Sequence, residues 1–157
     1  MIIILEGADG SGKTTLLKTL NKEFNYDILL INNKEDFDEW YDNLIKYNNN
    51  KTVITDRSFI GDLVYRLWDG KPRRGMSLNA MCDILLQSKV IFCESGTEFE
   101  DSMLRGEDFI TTKKDSNIIK HNYQIIMSLF DKFLDVKICK YNWHEDSIDK
   151  VINFINQ

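Results

Sequence analysis

Residues 2–14 read IIILEGADGSGKT, and TLLKTLNKEF follows at once, ending at residue 24. Ile2 to Leu5 form an unbroken apolar run, the pattern of a strand buried on both faces of a parallel sheet. Leu16, Leu17, Leu20 and Phe24 recur at helical spacing. Between the two, Gly7 to Thr14 match G-x-x-x-x-G-K-[ST] at every fixed position, in the strand–loop–helix setting where that motif is a P-loop. Glycines let the backbone curl so that successive N–H groups point inward, and the helix N-terminus behind them favours anions. The expected cradle for the phosphates of a nucleoside triphosphate comprises Gly7, Asp9, Gly10, Ser11, Gly12, Lys13, Thr14 and Thr15. Lys13 reaches the β- and γ-phosphates as a point charge, and the Thr14 hydroxyl is offered to magnesium. The cofactors implied are ATP and Mg²⁺.

Outward from this segment the periodicity switches repeatedly between strand and helix. YDILLI (26–31), KTVITD (51–56), KVIFCE (89–94) and DVKICKY (135–141) read as further strands. Helices are expected over about 34–47, where Phe37, Trp40, Tyr41, Leu44 and Ile45 share a face, and over 59–68. A third is expected from a Ser77 cap to Gln87. Thr97 followed by Glu100 has capping-box spacing and opens a helix to about Leu104. A polar stretch at 105–115 precedes a long helix from about Asn117 to Leu134, and a last helix spans roughly 145–155. Five alternations predict an α/β fold. It is a five-stranded parallel sheet with helices on both faces, a single P-loop domain over 1–157. Ligands of such sheets bind at the carboxyl ends of the strands.

Composition sets the outer limits. The chain has 157 residues, 43% hydrophobic and 29% charged, as in an ordinary globular domain. No apolar run approaches the roughly 18 residues of a membrane-spanning helix. MIIILEG lacks the basic region and cleavage site of a signal peptide. Cys82, Cys93 and Cys139 are odd in number and widely spaced, with no metal pattern, which suggests a reduced, cytoplasmic protein. A net charge of −5 argues against a long nucleic-acid footprint. The basic residues cluster instead, Lys71, Arg73 and Arg74 in one loop and Arg105, Lys113 and Lys114 in another, which suits a small anionic substrate.

The second candidate site element is TVITDRS, residues 52–58. Asp56, at the end of a buried strand, is placed to hold the magnesium shell, to act as a base or to orient an attacking oxygen. Arg57 can fork onto a phosphate. The plainer alternative is an Asp capping the next helix and an Arg on the surface.

EGADGSGKTT, with a later strand ending in DR and then a helix, resembles thymidylate kinase and its deoxynucleoside monophosphate kinase relatives. VIFCESGTEFEDSMLRGEDF is similar to that family's fourth strand, short helix and lid, and KHNYQIIM to the helix after the lid. The resemblance implies a nucleotide kinase, one P-loop kinase domain over 1–157 with a short lid near 105–116, and, commonly, a homodimer. It implies that Asp9 hydrogen-bonds the 3′-hydroxyl of the acceptor and that Arg57 grips its 5′-phosphate. Tyr65 and Arg66 would lie near the acceptor base. Arg105, with Lys113 or Lys114, would close over the phosphates from the lid. Some members carry a catalytic arginine where this chain has Gly10, and members lacking it supply the charge from the lid, which gives Arg105 weight. The family's acidic, Gly- and Pro-rich loop after the second strand is missing here, where INNKEDFDEW stands.

Lys13, Asp56, Arg57 and Arg105 are thus the expected catalytic set, Thr14 and Asp56 the metal ligands, and Asp9, Arg57, Phe59, Tyr65, Arg66 and Arg74 the acceptor contacts. The acceptor expected is a deoxynucleoside monophosphate carrying a pyrimidine, dTMP or dUMP. The alternatives are a kinase acting on a hydroxyl, of a deoxynucleoside or of DNA, with Asp56 or Glu35 as base, and an NTP-binding switch. Acids at 35, 36 and 38 suit a solvated helix start. His121 and His144 read as isolated, and Trp40, Phe59 and Trp68 as core residues, with Phe59 also close enough to the DR pair to touch a base.

Overall fold

The computed structural model describes residues 1–30, 37–48, 51–71, 77–106 and 110–157. Five strands, β1 (Ile2–Glu6), β2 (Asp27–Leu30), β3 (Val53–Asp56), β4 (Ser88–Cys93) and β5 (Lys137–Tyr141), form one sheet in the order β2-β3-β1-β4-β5. Every pairing is parallel, as the alternation requires. The helices are α1 (Lys13–Phe24), α2 (Phe37–Asn48), α3 (Phe59–Asp69), α4 (Leu78–Gln87), α5 (Glu98–Leu104), α6 (Lys113–Leu134) and α7 (Ile148–Asn156).

Strand alternation divides β1 between two cores. Ile3 and Leu5 face Leu16, Leu17 and Leu20 of α1 and Val151 and Ile155 of α7. Ile2 and Ile4 face the larger core, with Trp40 and Leu44 of α2, Ile60 and Val64 of α3, Ile84 of α4 and Tyr123 and Met127 of α6. All four β1 residues are fully buried, which explains why the strand reads as a continuous apolar run. Glu6 is next in the Ile2, Ile4 series, so its carboxyl projects toward α3 and α6. The β1–β3 and β1–β4 registers set Leu5 beside Asp56 and Glu6 beside Phe92, bringing the carboxyl ends of the three central strands together.

The starts of α6 and of α7, the latter capped by Ser147, and the cap bonding of α5 differ from the sequence reading. α6 begins at Lys113 and not near Asn117, because Thr112 caps it: its hydroxyl accepts from Asp115 N–H at 3.1 Å. Lys113 and Lys114 therefore belong to a helix rather than to the lid stretch. α5 does follow Thr97, but the Thr97 hydroxyl makes no cap bond. The reciprocal bonds fall two residues earlier. Ser95 Oγ accepts from Thr97 N–H at 3.3 Å, and Glu98 Oε1 accepts from Ser95 N–H at 2.9 Å. The spacing S-x-x-E is right, and its members are Ser95 and Glu98. Among the described residues no helix is long and apolar enough to cross a membrane, and none of the three cysteines forms a disulfide.

Candidate active site

The P-loop folds tightly at the end of β1. Gly10 and Gly12 both have φ of 87°, a left-handed conformation that costs little only for glycine. Contact demands glycine as well. A Cβ on Gly10 would lie 2.0 Å from the Glu98 carbonyl oxygen, and one on Gly12 would lie 2.6 Å from Cδ1 of Trp143. Gly10 is thus the seat on which the start of α5 rests. Gly12 lies under the indole of the loop after β5.

Lys13 is 6% exposed. Its ammonium donates to the carbonyls of Gly7 and Ala8, each at 2.7 Å, and to Ser11 Oγ at 3.3 Å. Burial, joined by the nearby Arg57 charge, pulls its pKa below the usual lysine range. Three partners on the loop itself place the ammonium directly under the concave face of the cradle.

Arg57 follows β3 with φ of 77°, which a non-glycine residue adopts only when its surroundings hold it there. Arg57 N–H donates to Leu5 O at 3.0 Å, and Thr55 Oγ1 donates to Arg57 O at 2.8 Å. The guanidinium forms an ion pair with Asp9 inside the P-loop, and Tyr65 from α3 donates to the other Asp9 oxygen at 3.2 Å. Burial pushes the Asp9 carboxyl up, but the Arg57 and Lys13 charges outweigh it and leave the pKa below the ordinary value. Burial also raises the Tyr65 phenol.

A residue that the sequence reading passed over lies beneath this group. Glu6 is 0% exposed. Ser58 Oγ donates to Glu6 Oε1 at 2.6 Å, and Tyr123 of α6 donates to Oε2 at 3.1 Å. Tyr123 also stacks on Phe92, the β4 neighbour of Glu6. Burial raises the Glu6 pKa against the lowering pull of Ser58, Arg57, Lys13 and Tyr123.

The opposite wall comes from α5 and the loop after β5. Arg105, at the α5 C-terminus, donates through Nε to Asp101 O at 3.3 Å. Asp101 Oδ2 accepts from Thr97 Oγ1 at 2.8 Å, and His144 Nε2 lies 3.0 Å from that hydroxyl and 3.8 Å from the carboxylate. His144 is therefore not isolated: it ties the loop after β5 to α5. Trp143, 41% exposed, stacks on the His144 ring with centroids 3.7 Å apart.

One cleft is lined by Asp9, Gly10, Ser11, Gly12, Lys13, Thr14, Asp56, Arg57 and Arg105, drawn from three separate stretches of the chain. Asp56 Oδ1 is buried and has no hydrogen-bond partner among the described residues. A carboxyl oxygen held that way in the same cleft as Thr14 suits a hard divalent cation. Among the described residues no three His, Cys, Asp or Glu side chains gather into a metal cage, so such an ion would complete its shell with other oxygens.

Several expected residues lie elsewhere. Gly7 sits below the cleft, where a Cβ would meet Cys93 O at 2.2 Å, and Thr15 is exposed on the first turn of α1. Tyr65 borders the cleft through Asp9. Phe59, 1% exposed, points into the larger core, and Arg66 lies on the exposed side of α3. Lys113 pairs with Glu100 at 2.6 Å, so the second basic cluster is divided and Arg105 is its member in the cleft. Arg73, Arg74, Glu35 and Asp36 lie outside the described residues.

No protein-family model and no curated protein matches this sequence. Solved structures do. The chain is similar to YorR protein from Bacillus subtilis in complex with phosphorylated GDP, with a TM-score of 0.73 and 23% identity over 99% of this chain and 94% of that one. It is also similar to deoxyadenosine kinase from M. mycoides with bound dATP, at a TM-score of 0.68 and 17% identity over the whole of both chains. The fold is that of the P-loop nucleotide kinases. A second structure of that deoxyadenosine kinase, with products dCMP and a flexible dCDP, matches at a TM-score of 0.68 and 18% identity over 99% of each chain. At such identities the likeness concerns the fold.

Proposed function

We propose that this protein transfers the γ-phosphoryl group of ATP to the 5′-phosphate of a deoxynucleoside monophosphate, a pyrimidine such as dTMP or dUMP, as a thymidylate kinase does. The observation that carries the reading is the convergence of Lys13, Arg57 and Arg105 on one cleft whose floor is the P-loop. Three fixed cations suit two phosphate chains that must approach each other in line, where catalysis is largely positioning and charge stabilisation. A phosphate acceptor is already a nucleophile and needs no strong base. Glu6 is sealed away with both oxygens bonded, so it is not placed to serve as one.

In this reading the P-loop amides and Lys13 hold the donor phosphates. Arg57 holds the acceptor phosphate, exchanging its Asp9 partner for it. Asp9, still bonded by Tyr65, is then free to accept from the acceptor sugar. Arg105 carries the charge that Gly10 does not. Thr14 and Asp56 would hold Mg²⁺, which when bound supplies charge neutralisation between phosphate oxygens.

The deoxyadenosine kinase likeness motivates a second reading, a kinase acting on a nucleoside hydroxyl, with Asp56 as base. A turnover panel decides. With ATP and Mg²⁺, purified protein is offered dNMPs, nucleosides and oligonucleotides in turn, and product is read by chromatography. The proposal expects dNMP turnover at least tenfold above that of any nucleoside. Preferential nucleoside turnover overturns it in favour of the second reading, and DNA as sole acceptor overturns both.

A further inference from the structure

Arg57 lines the cleft with a left-handed backbone, and for a residue with a Cβ that conformation has to be enforced by its neighbours. The enforcing contacts come from three sides. Leu5 O accepts the Arg57 N–H, Thr55 Oγ1 holds the Arg57 carbonyl, and the next residue, Ser58, is held through its side chain by Glu6. Two of those three contacts belong to adjacent residues of β1. Ser58 Oγ has a second task, since it accepts from Ile60 N–H at 3.2 Å as the N-cap of α3. Its proton therefore goes to Glu6 and its lone pair to the helix. Glu6 is in turn fixed by the Tyr123 hydroxyl, and Gly61 makes the room: a Cβ there would lie 3.3 Å from Tyr123 Oη and 3.6 Å from Glu6 Oε2.

We propose that Glu6 is a positioning residue: gripped by Ser58 and Tyr123, its buried carboxylate fixes the junction between β3 and α3, holds Arg57 in its left-handed conformation and so aims the guanidinium into the cleft. Nothing in packing asks for a carboxylate at this place. Burying a carboxyl costs stability that an apolar side chain of similar size would not. A group that weakens the fold and is hydrogen-bonded to the residue next to the strained one is accounted for by what it positions. The inference rests on the reading of Arg57 as the acceptor-phosphate ligand.

Steady-state kinetics and melting curves of Glu6→Gln, Ser58→Ala and Arg57→Ala separate the two ideas. Glu6→Gln keeps the shape and removes the charge. It is expected to raise acceptor KM about tenfold, leave donor KM within twofold and melt at or above the wild-type temperature. Ser58→Ala cuts the same link while removing a helix cap. It is expected to raise acceptor KM similarly while melting lower. Acceptor KM then follows the link and not the stability, which a merely structural role would not produce. If Arg57→Ala raises acceptor KM and the other two leave it unchanged, Glu6 is not a positioning residue. The same holds if Glu6→Gln melts lower and loses donor and acceptor affinity together. If Arg57→Ala itself leaves acceptor KM unchanged, the reading of Arg57 fails instead, and the Glu6 proposal goes with it.

Discussion

The two walls of the cleft are built differently. The wall made by β1, the P-loop and the start of α3 is buried. Lys13 has three acceptors on its own loop, Asp9 has Arg57 and Tyr65, and Glu6 has Ser58 and Tyr123. The wall made by α5 is a seven-residue helix that ends in exposed residues, Leu104 and Arg105 among them. Its start is anchored by the buried Glu98, which pairs with Lys120 of α6 at 3.3 Å. It is also held by a surface pair, Lys113 with Glu100, and by the exposed Thr97–His144 contact. Under the proposed function, preorganised charge belongs to the wall that would grip phosphates, and lower local stability to the wall that would close over them.

Breaking the buried wall should cost most. Lys13→Ala removes the charge under the cradle and is expected to lower kcat by about 10²–10³, the scale of losing one preorganised electrostatic donor. Near-normal turnover in that variant would sink the P-loop assignment. Arg57→Ala against Arg105→Ala sharpens the contrast. The former is expected to raise acceptor KM by about 10–100-fold, the cost of a lost charge-assisted contact, and the latter to lower kcat with acceptor KM nearly unchanged. Equal effects on both parameters would mean that the walls do not divide the work. Gly10→Ala tests the joint between them. Overpacking against Glu98 and the positive φ together should lower Tm by roughly 5–10 °C in a chain of this size, and an unchanged Tm would show that α5 is not seated there.

A pH series isolates the cost of the buried wall. Glu6 has a folded pKa above its unfolded one, so its stabilising contribution is complete below the unfolded value and is lost as pH rises through the folded value. Gln does not titrate, so the Tm of Glu6→Gln relative to wild type should climb as pH is raised across that window. A flat difference would mean that the carboxyl is not strained by burial. The smallest effect belongs to the other wall: Glu100→Ala should move Tm by less than about 2 °C, because exposed pairs contribute little.

Much of this was legible in the sequence where the signal is local. The strand, loop and helix at 2–24 and the DR pair at 56–57 each declare themselves within a few residues, and both lie where such motifs must lie at strand ends. What stayed hidden depends on residues far apart in the chain. Glu6 reads as an ordinary residue before a glycine, since its partners are 52 and 117 positions away. His144 reads as isolated because its partner lies 47 positions back. Phe59 was a candidate base contact by its place after the DR pair, but the helical phase of α3 turns it into the core beside Ile60. At the α5 cap two S/T-x-x-E spacings compete within six residues, and periodicity cannot tell which of them closes.

The seat of α5 on Gly10 has a consequence for descent. A side chain of any size at position 10 would collide with a main-chain carbonyl of α5 2.0 Å away. An arginine placed at position 10 by a single substitution would push the start of α5 off the loop. Where the cation resides is therefore inherited together with where the helix sits.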